Sequence, residues 1–179
     1  MTPQVSVLIP SYNHAHYLDH ALQSVISQSF SDWEAIVIDD GSTDDTQKVT
    51  AQFDDPRIRY IYQENQGLSA ARNTGLREAN SETIALLDAD DIWKEKYLET
   101  MLSPLENQPE TVAVYCGFQY IDEDGQDVGI PSIKVVPPDE FREYFAANGN
   151  WLVPSGVVFR KAVAEEEGCF DESLRAVED

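Results

Sequence analysis

The sequence predicts an α/β fold, a mostly parallel sheet with helices on both faces. Short β-branched runs and stretches of helically spaced apolar residues alternate as β-α-β-α-β-α-β between Val5 and Leu87. That order, with short connections, builds a parallel sheet covered on both sides. Three of the apolar runs end abruptly in polar clusters: Pro10-Ser11-Tyr12-Asn13, Asp39-Asp40-Gly41-Ser42 and Asp88-Ala89-Asp90-Asp91. Ligands of open α/β sheets bind at the carboxyl ends of the strands, so the clusters are expected to converge on one edge.

Val5 to Ile9 is β-branched, closed by Pro10, and reads as a buried strand. Tyr17, Leu18, Ala21, Leu22, Val25 and Ile26 recur at helical spacing and define an amphipathic helix. Trp33 to Ile38 is the second strand. Ser42 or Thr43 is expected to cap a helix running through Val49 toward Phe53, with Asp44 and Asp45 at its positive end. Ile58 to Tyr62 alternates as a third strand, and Leu68 to Ala79 is a helix capped by Ser69. Thr83 to Leu87 is the fourth strand. Beyond Trp93 a helix is expected to about Asn107, bent at Pro104. Val112 to Ile121 reads as one long strand, and Asp122-Glu123-Asp124-Gly125 as a hairpin turn or polar loop rather than a calcium loop, whose glycine would come two positions later. A short β segment at Ile133 to Val136, a helix from Pro138 to Asn148, a strand at Val157 to Arg160 and a helix from Lys161 to Glu167 complete the pattern.

At 179 residues the chain is expected to form one domain with a real core. Its net charge of −21 excludes nucleic acid or an anionic membrane as a partner held by a general basic surface. An anionic ligand then needs a metal and placed cations to reverse the local field. The 2 cysteines, Cys116 and Cys169, form no disulfide framework or zinc spacing and read as small buried hydrophobes. Met1-Thr2-Pro3-Gln4 lacks a secretory leader, and no apolar run approaches the ~20 residues that span a bilayer. A cytoplasmic protein is expected.

The chemistry concentrates in Asp88-Ala89-Asp90-Asp91. Strand alternation would put Asp88 and Asp90 on one side, where two close carboxylates repel unless a cation or a shared proton intervenes. A hard divalent ion, Mg²⁺ or Mn²⁺, suits such ligands and keeps positions open for phosphate oxygens. Arg72, early in the third helix, is placed to meet phosphate or a base edge. Asp39 or Asp40 could accept from a nucleobase N–H, and Tyr12 could offer an aromatic face. His14, His16 and His20 read as solvated or capping residues. Trp93 and Trp151 read as core or rim, with Trp151 in an irregular region where an acceptor could stack.

Four stretches occur in order: Ile9-Pro10-Ser11-Tyr12-Asn13, Ile38 to Asp44, Asn65 to Gly75 and Leu87 to Asp91; Phe170-Asp171-Glu172 and Glu178-Asp179 follow. Together they resemble the inverting family 2 glycosyltransferases, which have the GT-A fold, a Rossmann-like, mostly parallel sheet. The resemblance implies transfer of a sugar from a nucleotide diphosphate donor, most often a UDP-sugar, to a carbohydrate, lipid-linked or protein acceptor. It implies that Pro10, Tyr12 and Asp40 hold the nucleobase, that Arg72 supports the nucleotide, and that Asp88 contacts the ribose or the metal shell. Asp90 would ligate Mn²⁺ or Mg²⁺, with Asp88 in support, and Asp179 would be the general base beside Glu178; Asp91 has no assigned role. About 1–91 would form the donor half and about 92–179 an incomplete acceptor half. Because the family's catalytic domains continue past the Glu-Asp pair, a fragment that binds nucleotide and metal but transfers sugar poorly is expected. Peripheral association with the inner face of a membrane is compatible with this reading.

The rivals are weaker on the same residues. A nucleotidyltransferase would carry a basic glycine-rich loop where Pro10-Ser11-Tyr12-Asn13 stands. A haloacid-dehalogenase-type phosphatase would carry its paired aspartates on the first strand. A non-catalytic nucleotide-sugar-binding module of a polysaccharide-assembly protein remains the alternative from another class.

Overall fold

The computed structural model of the chain describes residues 2–122, 125–129, 136–137, 139–148 and 152–174. Its elements in chain order are β1 (Val5–Ser11), α1 (Ala15–Ile26), β2 (Trp33–Asp40), α2 (Thr46–Thr50), β3 (Ile58–Gln63), α3 (Leu68–Glu78) and β4 (Thr83–Leu86). They continue with α4 (Tyr97–Asn107), β5 (Ala113–Tyr115), β6 (Tyr120–Ile121), β7 (Asp127–Gly129), α5 (Phe141–Asn148), β8 (Val157–Arg160) and α6 (Lys161–Glu166). One sheet has the order β3-β2-β1-β4-β8-β5, and β6 and β7 form a separate ribbon. The first four strands are parallel, while β8 runs antiparallel to both β4 and β5. The predicted α/β architecture is therefore present, mostly parallel and with helices on both faces.

Alternation along β1 divides the core. Val5, Val7 and Ile9 pack with Leu18, Leu22 and Val25 of α1 and with Leu98, Met101 and Leu102 of α4. Leu8 points to the opposite face with Ile36, Ile38, Ala71, Leu76 and Ala79, beneath α3. Every residue of β1 and β2 is buried, which is why these two strands read as continuous apolar runs. Each fully buried Leu, Ile or Val contributes about 1.5–3 kcal/mol. At the amino-terminal end of the sheet, buried Glu34 accepts from Ser6 Oγ (2.6 Å), Asn80 N (2.7 Å), Asn80 Nδ2 (2.8 Å) and Arg59 Nη1 (3.3 Å). Burial pulls its carboxyl upward, but these donors together hold it below the ordinary glutamate value.

Several local expectations are corrected. The helix expected from Ser42 or Thr43 is only Thr46–Thr50, with Asp45 at its N-cap, and Asp44 just before it accepts from Thr46 N (3.1 Å) and Thr46 Oγ1 (2.5 Å). Gly67, with φ +95°, occupies the N-cap of α3, so Ser69 lies inside the helix. Helix α4 starts at Tyr97 and runs on past Pro104. The long strand expected over 112–121 is two: β5 pairs with β8, and β6 turns away to pair with β7. Residues 123 and 124 of the expected turn lie outside the described residues; on either side of them, Gln126 N bonds to Asp122 Oδ1 (2.8 Å) and Gly125 N to Asp122 O (2.9 Å). Val136 is buried but outside any strand, and 133–135 lie outside the described residues. The expected burial of the cysteines fails at Cys169, which is exposed, and Cys116 is only partly covered.

Candidate active site

Strand β1 lies between β2 and β4. Its carboxyl end therefore puts Pro10 and Tyr12 between the two aspartate clusters. Tyr12 is 50% exposed and presents its ring outward. Asn13, at φ +58°, ties the first two strand ends together. Its N–H donates to Ser42 Oγ (2.9 Å), and its Oδ1 accepts from Thr43 N (2.8 Å). Asp44 accepts from Ala15 N (2.9 Å) as well as from Thr46, placing one carboxylate at the positive ends of α1 and α2.

Asp39 and Asp40 divide their work. Both are buried. Asp39 accepts from Ser42 N (2.8 Å) and Tyr60 Oη (2.5 Å), which fixes the turn after β2. Asp40 accepts from Gln63 Nε2 (2.6 Å), Gln66 N (3.0 Å) and Gly67 N (2.8 Å), which fixes the approach to α3. An ionised carboxylate has about four acceptor sites, so Asp40 keeps one direction for a further donor.

Strand β4 ends at Leu86, and Asp88 to Asp91 form a turn closed by Asp91 N to Asp88 O (3.1 Å). The strand alternation expected to place Asp88 and Asp90 on one face does not extend this far. Instead a neighbour sets the surroundings of two of the three carboxylates. Asp88 pairs with Arg72 Nη2 at 3.0 Å, and Arg72 is only 2% exposed. The Arg72 guanidinium also lies 5.6 Å from the centre of the Phe170 ring. Asp91 accepts from Ser155 Oγ at 2.5 Å. Burial lifts the Asp91 carboxyl above the usual range; the Ser155 hydrogen bond opposes this, and the charges of Asp88 and Asp90 add to it. Asp90 is exposed and has no hydrogen-bond or ion-pair partner among the described residues.

The structure thus brings Arg72 onto Asp88 and places Pro10, Tyr12, Asp40, Asp88 and Asp90 at the ends of three adjacent strands. Glu178, Asp179 and Trp151 lie outside the described residues. Two contributors escape sequence reading. Ser155, at 7% exposure, bonds both ends of the aspartate turn. Asn73 holds the segment that leads toward the chain end, donating to Phe170 O (2.9 Å) and Glu172 Oε1 (2.8 Å) and accepting from Phe170 N (2.9 Å). Phe170-Asp171-Glu172 was the available signal for Asn73; an isolated serine before a strand gives none for Ser155.

No group of three or more His, Cys, Asp and Glu side chains among the described residues could enclose a metal by itself. The donors do fit a hard divalent ion that takes its remaining oxygens from a ligand: Asp90 is open, and Asp88 is partly accessible.

A mostly parallel sheet whose strand ends carry a carboxylate turn against a buried arginine has the GT-A architecture, the fold of nucleotide-sugar transferases. The chain belongs to glycosyl transferase family 2, whose sequence pattern matches residues 6–166. It is 38% identical over 154 residues to a putative teichuronic acid biosynthesis glycosyltransferase, TuaG, of Bacillus subtilis, covering 84% of this chain and 59% of that protein. It is 35% identical over 172 residues to an uncharacterized glycosyltransferase of Nostoc sp., covering 91% of this chain and 52% of the relative. Among solved structures, S. aureus TarS in complex with UDP superposes with a TM-score of 0.75 at 21% identity, covering 98% of this chain and 52% of that one. The mannosyltransferase PcManGT from Pyrobaculum calidifontis, in complex with GDP-Man and Mn²⁺, superposes at 0.72 with 23% identity, covering 99% and 50%. These likenesses establish the fold. The chain spans about half the length of these relatives.

Proposed function

We propose that this domain binds a UDP-sugar with Mn²⁺ or Mg²⁺ and serves an inverting transfer of a hexose or N-acetylhexosamine to an acceptor hydroxyl. The observation that carries this is the division of labour in the aspartate turn, where Arg72 engages Asp88 and Asp90 stands open at the edge. Asp90, supported by Asp88, would hold the metal, which when bound supplies charge to stabilise the departing diphosphate. TarS bound to UDP and PcManGT bound to GDP-Man and Mn²⁺ support the class of ligand. Tyr12 offers its ring to the base, and Pro10 shapes the backbone beneath it. Asp40 accepts the base N–H with its remaining lone pair while holding the start of α3. Arg72 keeps one buried positive charge beside an otherwise acidic edge, in a protein of net charge −21. Asp179 is assigned as general base, taking the acceptor proton on the face opposite the leaving group. A single displacement of this kind inverts the anomeric centre and needs no enzyme nucleophile.

The acceptor would be a carbohydrate, a lipid-linked sugar or a protein, and the likeness to a putative teichuronic acid biosynthesis glycosyltransferase favours polysaccharide assembly; a cytoplasmic location at the inner face of a membrane is part of the same proposal. No helix among the described residues is long and apolar enough to cross a bilayer. The test is a calorimetric panel of UDP, UDP-glucose, UDP-galactose, UDP-N-acetylglucosamine and GDP, each with Mn²⁺ and with chelator. Uridine nucleotides are expected to bind only weakly without metal and more tightly with it. Equal binding of GDP, or no binding by any member, would contradict the donor assignment.

A further inference from the structure

We propose that Ser155 is a positioning residue that clamps the aspartate turn, and that Asp91 belongs to this clamp rather than to the metal shell. The inference rests on the donor-site reading above. The Ser155 hydroxyl accepts from Asp88 N (2.9 Å) and donates to Asp91 Oδ2 (2.5 Å), so one side chain grips both ends of the turn. A hydroxyl has one proton to give, and here it goes to Asp91. The turn's own bond, Asp91 N to Asp88 O at 3.1 Å, closes the same ring of contacts.

Ser155 is itself anchored. Its carbonyl accepts from Trp93 Nε1 (2.7 Å), and Trp93 N donates to Ser24 Oγ (3.1 Å) on α1. The Trp93 ring stacks on Tyr97 of α4 with centroids 4.2 Å apart. Because β8 runs antiparallel to β4, the residues that begin β8 stand where β4 ends. Ser155 therefore reaches the turn from the distal half of the chain and is fixed by two helices. Between the gripped positions 88 and 91, Asp90 is left exposed. A carboxylate that must meet a metal with sub-ångström tolerance gains from such outer support.

Two single variants of the full chain, Ser155→Ala and Asp91→Asn, test the proposal by UDP titration with Mn²⁺ and with chelator, alongside thermal unfolding. Ser155→Ala is expected to lose about tenfold or more of the Mn²⁺-dependent gain in UDP affinity, with metal-free affinity unchanged. Asp91→Asn keeps a carbonyl oxygen for the Ser155 hydroxyl and is expected to retain most of the Mn²⁺-dependent gain. Either of two results would overturn the clamp: a full Mn²⁺ gain in Ser155→Ala, or loss in Asp91→Asn as complete as in Asp90→Asn. If Ser155→Ala does not fold, Asp91→Asn alone decides between clamp and ligand. A parent protein whose UDP binding ignores Mn²⁺ would refute the donor-site reading instead, and the clamp would fall with it.

Discussion

Asp88, Asp90 and Asp91 sit within four residues yet face three different surroundings, and residues outside the motif decide two of them. Arg72 draws Asp88 into a partly buried ion pair, Ser155 binds Asp91, and Asp90 is left to solvent. Because Asp90 has no described partner, Asp90→Asn should leave thermal stability within about 0.5 kcal/mol of the parent while removing metal-dependent binding. Glu34 should behave in the opposite way. Its folded pKa lies below the ordinary 4.5, so its contribution to stability is complete above that value and is lost as pH falls through the folded pKa. Glu34→Gln turns an acceptor of several donors into a part-donor; it should cost about 1–3 kcal/mol near neutral pH and flatten stability against pH below 4.5. Denaturant unfolding at pH 7 and at pH 3 to 4 measures both effects. Among the residues singled out from sequence, Asp88, Asp90 and Asp91 stand out because charges that close an apolar run are rare, and Arg72 because it lies in the first turns of a helix. Ser155 was not, because it lies 67 positions from Asp88 and its role appears only when β8 is placed beside β4.

Helix α3 shows how closely an element can be constrained by one missing methyl group. A Cβ at Gly75 would lie 3.0 Å from Ile38 Cδ1 and 3.0 Å from Leu8 Cδ1. Both neighbours are fully buried in the sheet, so the few tenths of an ångström that they must give are opposed by their own packing. Alanine's helix propensity would favour Gly75→Ala by about 1 kcal/mol, but overpacking costs about 1–3 kcal/mol. The variant is expected to be less stable than the parent; an equal or higher unfolding temperature would show that the helix can lift without loss. Periodicity located α1, which buries one face, whereas β1 and β2 were legible as continuous apolar runs buried throughout. It misjudged 112–121, where an apolar run was cut by a change of partner, from β8 to β7. It also ran the helix at Ser42 too early: Asp45 is the N-cap of α2, and Asp44 rather than a hydroxyl accepts from its first amide, Thr46 N. The antiparallel direction of β8 is not written in its residues; it follows from where the preceding chain leaves it.

For the molecule as a whole, the site must draw a dianionic or trianionic ligand toward a surface of net charge −21. Without metal, UDP affinity should therefore rise with salt, as the Debye length shrinks from about 30 Å at 0.01 M to about 8 Å at 0.15 M. With Mn²⁺ that dependence should weaken, since the local charge is then reversed at close range. A metal-free affinity that falls with salt would contradict this and point to cationic groups dominating the field at the site. The α/β architecture was readable from alternation alone, and family membership from motifs that include the ends of β1, β2 and β4 and the first turns of α3. The acceptor was not, since the region from about Asn107 to Arg175 carries no motif that ties it to a sugar, lipid or protein, and relatives extend well beyond this length. The central claim is that the exposed member of the aspartate turn binds metal for the donor. Titrating UDP–Mn²⁺ into the parent, Asp90→Asn and Asp179→Asn tests it most directly. The account predicts that Asp90→Asn loses the Mn²⁺-dependent affinity while Asp179→Asn keeps it; Asp90→Asn binding UDP–Mn²⁺ as tightly as the parent would contradict it.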